Sequence, residues 1–219
     1  MSGNTETEIP QANSKAKAFT KLVETIVMTE WAQFQEVNNE GGPANCQGNW
    51  PTFFQMRASQ FMTWNTVLLE SYQADLDRAN ETGRNLLTEK YGLMMATTDP
   101  EYFHKNLEAY MPRINEIRRE QQERIITIQV AWAYDFRDRY PKLGDAMRVL
   151  RTSEDTPEAT SFETYLRAEM STYSQTTLDH YQDLIVADRE AGLNITEQTI
   201  LSTVRLGGFS SLEEAEAAQ

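Results

Sequence analysis

The sequence predicts an all-α protein, a single-domain bundle of about six to eight helices, several of them long. Apolar side chains recur at spacings of three and four residues over most of the chain, which is typical of helices with one buried face. Glycine, proline and capping residues separate these segments, and no stretch shows the apolar–polar alternation between turns that would indicate strands. Residues 1–13 are polar and aperiodic, so we expect a disordered lead-in before one helical domain over residues 14–219.

The first two predicted helices are long. The first runs from Ser14 to about Asn39, where two glycines and a proline follow and cannot continue a helix. The second covers about residues 50–80. Asn49 is a suitable N-cap for it, a proline lies in its first turn, and Gly83 ends it.

Three further helices are predicted in the middle of the chain. A short one covers about residues 84–97, and Asp99 caps a fourth that ends before Pro112. The fifth spans about residues 113–139, and its first half alternates arginine and glutamate at helical spacing, which indicates a solvated face. Pro141 stops it.

The last third begins with a loop from Pro141 to Ala159, which is longer than a compact bundle requires and therefore favours a functional or mobile segment. A capping-box sequence then opens a long helix over residues 160–191. Asn194 caps another helix, and a last short one opens at Ser210.

Composition and charge exclude several classes of protein. The chain has 219 residues, 40% of them hydrophobic and 24% charged, as in a globular domain. Its net charge of −13 argues against a nucleic-acid partner, which needs lysine and arginine at the phosphates, and against binding to an anionic membrane surface. We find no apolar run long enough to span a membrane and no signal peptide. With a single cysteine, Cys46, these features predict a cytoplasmic protein.

Polar side chains within the apolar stripes are the strongest indication of a site. Arg57 and Gln60 lie at helical spacing from Phe61 and Trp64 and so face the core. On other helices Glu30 and Glu169 also interrupt apolar faces. A buried charge without a partner is costly, so Arg57 should meet one of these carboxylates or a bound anion.

Two interpretations of Arg57 stay open. It can form an internal Arg–Glu pair that fixes the register of the helices. Alternatively, it binds a substrate carboxylate while Glu30 or Glu169 acts as a general acid or base, with Gln60 and Tyr165 as further ligand contacts.

The loop over residues 38–47 is the densest run of hydrogen-bonding side chains and predicts substrate contacts from Asn38, Asn39, Cys46 and Gln47. Cys46 can be an inert buried thiol, a binding residue or a nucleophile. No histidine lies near it in sequence to act as its base.

Two further groups are candidates. Glu89 is a third possible catalytic carboxylate. Ser153, Glu154 and Asp155 lie in the long loop, where they suit a lid or a polar ligand contact. Ordinary turn chemistry explains such residues equally well, because their side chains bond their own backbone.

No metal or other cofactor is predicted. The one E-x-x-H spacing, Glu101 to His104, lacks the second copy that a di-iron bundle requires. Cysteine and histidine are too few for a zinc site, and neither a Walker loop nor a G-x-G-x-x-G sequence occurs.

Three segments of the chain contain long and specific residue patterns. They are Trp31 to Trp64 with its paired glycines, Gly83 to Met95, and Thr152 to Glu169. Through them the chain resembles a bacterial family catalogued as domain of unknown function 4125, from about residue 20 to the C-terminus. The resemblance implies a bacterial cytoplasmic origin and a helical domain, and it implies no mechanism. Pro43 stands where the family pattern has an arginine after the paired glycines.

The leading hypothesis is a small enzyme, or a related ligand-binding protein, that acts on a small polar molecule bearing a carboxylate or an amine. Such an enzyme would use acid–base chemistry and would need neither a nucleotide nor haem. The alternative is a non-enzymatic interaction module, because residues 152–219 carry thirteen acidic side chains against three arginines and could dock a basic protein partner. A homo-oligomer is compatible with either hypothesis.

Overall fold

A computed structural model describes residues 8–37 and 45–219 of the chain. This part of the protein is helical, and its extended backbone pairs only at an isolated bridge between Thr156 and Ala159. It contains eleven α-helices, more than the predicted six to eight: α1 (Glu8–Gln35), α2 (Trp50–Phe61), α3 (Thr66–Thr82), α4 (Leu86–Thr98), α5 (Pro100–Tyr102), α6 (Glu116–Arg139), α7 (Pro141–Asp145), α8 (Phe162–Thr172), α9 (Gln175–Glu190), α10 (Ile195–Leu206) and α11 (Leu212–Ala217).

The predicted helix over residues 50–80 is two helices, α2 and α3. Asn65 caps the second of them, and its side-chain oxygen accepts a hydrogen bond from the backbone N–H of Leu68. The spacing of apolar residues does not indicate this break, because Phe61, Trp64 and Leu68 keep helical spacing across it and all remain buried. The turn between the helices therefore redirects the chain without exposing its apolar side.

The predicted helix over residues 160–191 is also divided, into α8 and α9. Ser174 caps α9 by accepting from the N–H of Thr177. In turn, a carboxylate oxygen of Asp75 on α3 accepts from the N–H of Ser174 at 2.8 Å. The break is thus stabilised by a side chain that is distant in sequence.

Other boundaries differ by smaller amounts. The first helix begins at Glu8, six residues before the predicted start. The predicted fourth helix is one α-turn followed by a π-helical segment, Phe103–Leu107, and a 3₁₀ turn. The long loop after Pro141 contains α7 and a 3₁₀ turn, Thr152–Glu154. Gly83 ends α3 as predicted, in the left-handed conformation with φ of 70°.

The main core lies among α1, α2, α3, α6, α8 and α9. It includes Phe61, Leu68, Tyr72, Ile126 and Leu178, each at most 2% exposed. A smaller apolar cluster joins α6, α7 and α11. No helix in the described ranges has the length and apolar character needed to cross a membrane.

Candidate functional site

Four charged side chains meet inside the core, one from each of four helices. They are Glu30 on α1, Arg57 on α2, Lys90 on α4 and Glu169 on α8, and none is more than 5% exposed. Two cations and two carboxylates make the group neutral when all four are ionised. We refer to these four residues as the ion cluster.

Arg57 lies at the centre of the ion cluster. Its Nε and Nη2 donate to the two carboxylate oxygens of Glu30, both at 2.6 Å. Nη2 also donates to Glu169 at 2.9 Å, and Nη1 donates to Gln60 Oε1 at 2.7 Å. The guanidinium carbon lies 4.8 Å from the centre of the Phe61 ring. Every nitrogen of the fork therefore has an acceptor within the protein.

Glu169 accepts hydrogen bonds from several sides. Besides Arg57, its donors are Gln60 Nε2 at 3.1 Å, the Tyr173 hydroxyl at 3.2 Å and Lys90 Nζ at 3.3 Å. Burial acts to raise the pKa of Glu169, but Arg57 and Lys90 outweigh burial and hold it at about 2. The carboxylate is consequently ionised at neutral pH.

Two further tyrosine hydroxyls contact the ion cluster, one at Glu30 and one at Lys90. Tyr72 donates to Glu30 at 2.7 Å, and burial followed by Glu30 raises the pKa of Tyr72 well above its usual range. Lys90 Nζ donates to the Tyr165 hydroxyl at 2.6 Å. Burial lowers the pKa of Lys90, and Glu169 opposes that shift. Lys90 was not among the residues predicted for the site, although its spacing of four from Leu86 places it on a buried helix face.

A cavity of about 570 Å³ lies directly beside the ion cluster. Its wall is mainly apolar and comes from α2, α6, α8, α9, α10 and the segment around α7. Of the ion cluster, Arg57 and Glu169 reach this wall, and so do Gln60 and Tyr165. The principal apolar residues of the wall are Met56, Leu143, Met147, Phe162, Leu166, Ile195, Ile200 and Val204.

Three residues of the cavity wall each hold a buried polar atom that has no hydrogen-bond partner in the described part of the protein. The three atoms are Trp64 Nε1, Gln129 Nε2 and Thr196 Oγ1, from residues that are 3%, 3% and 7% exposed. Within the described ranges only five buried side-chain atoms lack a partner, and three of the five belong to residues that line this one cavity. Buried polar groups in proteins are nearly always hydrogen-bonded, and each exception calls for an explanation such as a bound water, ion or ligand.

The remaining residues predicted for the site lie elsewhere. Glu89 forms a two-point ion pair with Arg84 near the surface, at 2.7 and 2.8 Å. Gln47 is buried and donates to the carbonyls of Phe34 and Val37. Asn38 and Asn39 lie outside the described residues, and so does the side chain of Cys46.

The predicted lid residues make local contacts. Glu154 accepts from the N–H of Arg151, and Asp155 accepts from the N–H of Ser161 and the hydroxyl of Thr164. Ser153 is exposed. None of the three belongs to the cavity wall.

The acidic third of the chain uses many of its carboxylates internally. Glu163 pairs with Arg167, and Glu197 pairs with Arg139. Glu216 accepts from two backbone N–H groups at the start of α7. In the residues described, no group of three or more His, Cys, Asp or Glu side chains is arranged to hold a metal ion.

The fold and the site define an all-helical protein with a ligand-sized cavity beside a buried ion cluster. The chain belongs to the family described as Protein of unknown function (DUF4125), whose model matches residues 20–217. Comparison with curated proteins gives no significant match. Comparison with solved structures gives none either.

Proposed function

We propose that this protein binds a small, largely apolar organic molecule in the cavity beside the ion cluster. The observation that carries the proposal is that Trp64, Gln129 and Thr196, which line one cavity, each hold a buried polar atom without a partner in the described part of the protein. A buried donor without an acceptor costs about 1–3 kcal/mol, and a ligand oxygen would remove that cost.

The size and lining of the cavity support the same function. Its volume of about 570 Å³ lies within the range of small-molecule sites, roughly 300–1,000 Å³. Such sites combine apolar walls with a few placed polar groups, as this cavity does. The apolar lining favours a more apolar ligand than the small polar substrate that the sequence predicts.

The low pKa of Glu169 and the burial of Glu30 favour ligand binding over acid–base catalysis. A general acid or base works best with a pKa near the working pH, whereas the pKa of Glu169 is about 2. Glu30 is fully buried, held by Arg57 and Tyr72, and lies behind the cavity wall. The ion cluster would then serve as a rigid support for the binding site.

Ligand-dependent thermal unfolding tests the proposal. Wild-type protein is screened against alkyl and aryl compounds of six to twelve heavy atoms that carry a carbonyl or hydroxyl oxygen, beside the variants Ala146→Trp and Ala131→Trp. Ala146 is exposed on the cavity wall, whereas Ala131 is exposed on α6 away from it. A ligand at 100 times its Kd adds about 2.7 kcal/mol of stability.

We expect the wild type and Ala131→Trp to be stabilised equally, and Ala146→Trp to respond less. Folded wild-type protein that responds to no compound would contradict the proposal. Equal responses of the two tryptophan variants would show that the compounds bind elsewhere.

A further inference from the structure

We infer that the ligand of this cavity is an anion, an apolar molecule bearing a carboxylate that Arg148 binds at the rim. The inference rests on the proposed function and adds the chemical class of the ligand. It follows from the hydrogen-bonding groups that the protein leaves available on the wall.

Of the three unsatisfied polar atoms on wall residues in the described ranges, two are donors only and the third, the Thr196 hydroxyl, can donate or accept. The indole N–H of Trp64 and the amide nitrogen of Gln129 can only donate. The amide oxygen of Gln129 already accepts from the Tyr181 hydroxyl at 3.1 Å. Glu169 is committed to the donors described above. A ligand amine would therefore find no free carboxylate among the residues of the wall.

Arg148 supplies an available positive charge on this wall. Its guanidinium lies 4.8 Å from the centre of the Tyr165 ring and makes no ion pair or side-chain hydrogen bond with any described residue. Stacking on an aromatic ring leaves the edge of a guanidinium, with its N–H donors, free for a carboxylate. Arg57, the other arginine of the wall, has its donors occupied.

The charge balance of the wall agrees with an anionic ligand. Among the lining residues, Arg57 and Arg148 face a single carboxylate, Glu169. The wall is therefore locally positive in a chain whose net charge is −13. Arg148 is exposed, so a carboxylate there would remain near water and avoid the cost of full burial. The unsatisfied groups of Trp64, Gln129 and Thr196 would then receive a neutral oxygen such as a carbonyl.

The test uses four compounds that share one apolar body: 4-phenylbutanoate, 4-phenylbutanamide, 4-phenylbutan-1-ol and 4-phenylbutylamine. Their affinities are measured by calorimetry for the wild type, Arg148→Gln and Arg151→Gln. Arg151 is the matched control, because it is also exposed and stacks on a tyrosine, Tyr134, but lies outside the cavity wall.

We expect the wild type and Arg151→Gln to bind the carboxylate up to about fivefold more tightly than the alcohol, since an ion pair at an exposed rim contributes at most about that factor. Arg148→Gln should lose this preference and keep its affinity for the alcohol. The preference should also weaken with added salt, because the rim is exposed.

The outcomes separate the inference from the proposed function. Equal binding of carboxylate and alcohol, preference for the amine, or an unchanged preference in Arg148→Gln would overturn the inference and leave the cavity as a neutral binding site. If the wild type binds none of the four but responds to other apolar compounds, the inference is likewise wrong. A wild type that binds nothing of any class would overturn both.

Discussion

Arg57 and Glu30 meet side-on, with both N–O distances of the two-point pair at 2.6 Å. Two-point pairs of this kind are among the strongest that an arginine and a carboxylate form, and here Glu30 is fully buried and Arg57 is only 5% exposed. Desolvation of two charges is costly, so the pair depends on the further contacts with Tyr72 and Glu169. Removing any member would leave an uncompensated charge in the core.

Arg57→Met should therefore destabilise the protein by about 3–5 kcal/mol. The control is Arg84→Met, because Arg84 and Glu89 have the same two-point geometry but Arg84 is half-exposed. Exposed pairs of this kind contribute only about 0–1 kcal/mol. Chemical denaturation of both variants measures the difference, and equal losses would show that burial is not what makes the Arg57 pair important.

The pKa of Glu169 predicts a particular pH dependence of stability. Its carboxyl is ionised down to about pH 2 in the folded protein, against an ordinary value of 4.5. A lowered folded-state pKa gives stability that is complete above about pH 5 and is lost as the pH falls towards 2. Thermal unfolding of the wild type should show this loss. Glu169→Gln should be less stable at pH 7 but should change less between pH 5 and pH 2, and parallel profiles would contradict the assignment.

Thr196→Val should weaken ligand binding without lowering the stability of the protein. The Thr196 hydroxyl is buried without a protein partner, so its loss should leave the free energy of unfolding unchanged or raise it. The same change should weaken ligand binding. Such opposite effects are typical of residues kept for function.

Thr177→Val is the matched control for Thr196→Val. Thr177 is fully buried, and its hydroxyl bonds those of Ser71 and Ser174 at 2.7 and 3.1 Å. Its loss should cost about 1 kcal/mol without affecting the ligand. If Thr196→Val destabilises the protein as much as Thr177→Val does, the hydroxyl of Thr196 is satisfied within the protein.

Helical content and the position of Arg57 could be predicted from the sequence because both follow from local spacing. Arg57 and Gln60 lie on an apolar helix face, and a buried guanidinium requires carboxylates. The breaks before Asn65 and Ser174 were not predicted, because the apolar face continues through each of them. Each depends on a capping side chain, and the second also on Asp75, which is distant in sequence.

The cavity could not be predicted from the sequence. Its wall forms where α10 covers α2 and α6, and no periodicity reports how tightly three helices pack. Trp64 in an apolar stripe is typical of a core residue, and Thr196 is typical of the first turn of a helix. Only the tertiary structure shows that these two residues and Arg148 line one cavity.

The indole N–H signals of the four tryptophans offer the most direct test of a ligand in this cavity. Nitrogen-15 spectra are recorded while 4-phenylbutanoate and the other apolar compounds are added, and Trp64→Phe identifies the signal of Trp64. We expect that signal to shift on binding, because Trp64 lines the cavity and a bound apolar body changes the surroundings of its indole ring, while those of Trp31 and Trp50, which contact each other away from the cavity, stay in place. A Trp64 signal that no compound moves, in protein whose spectrum is otherwise well dispersed, would contradict the proposed function.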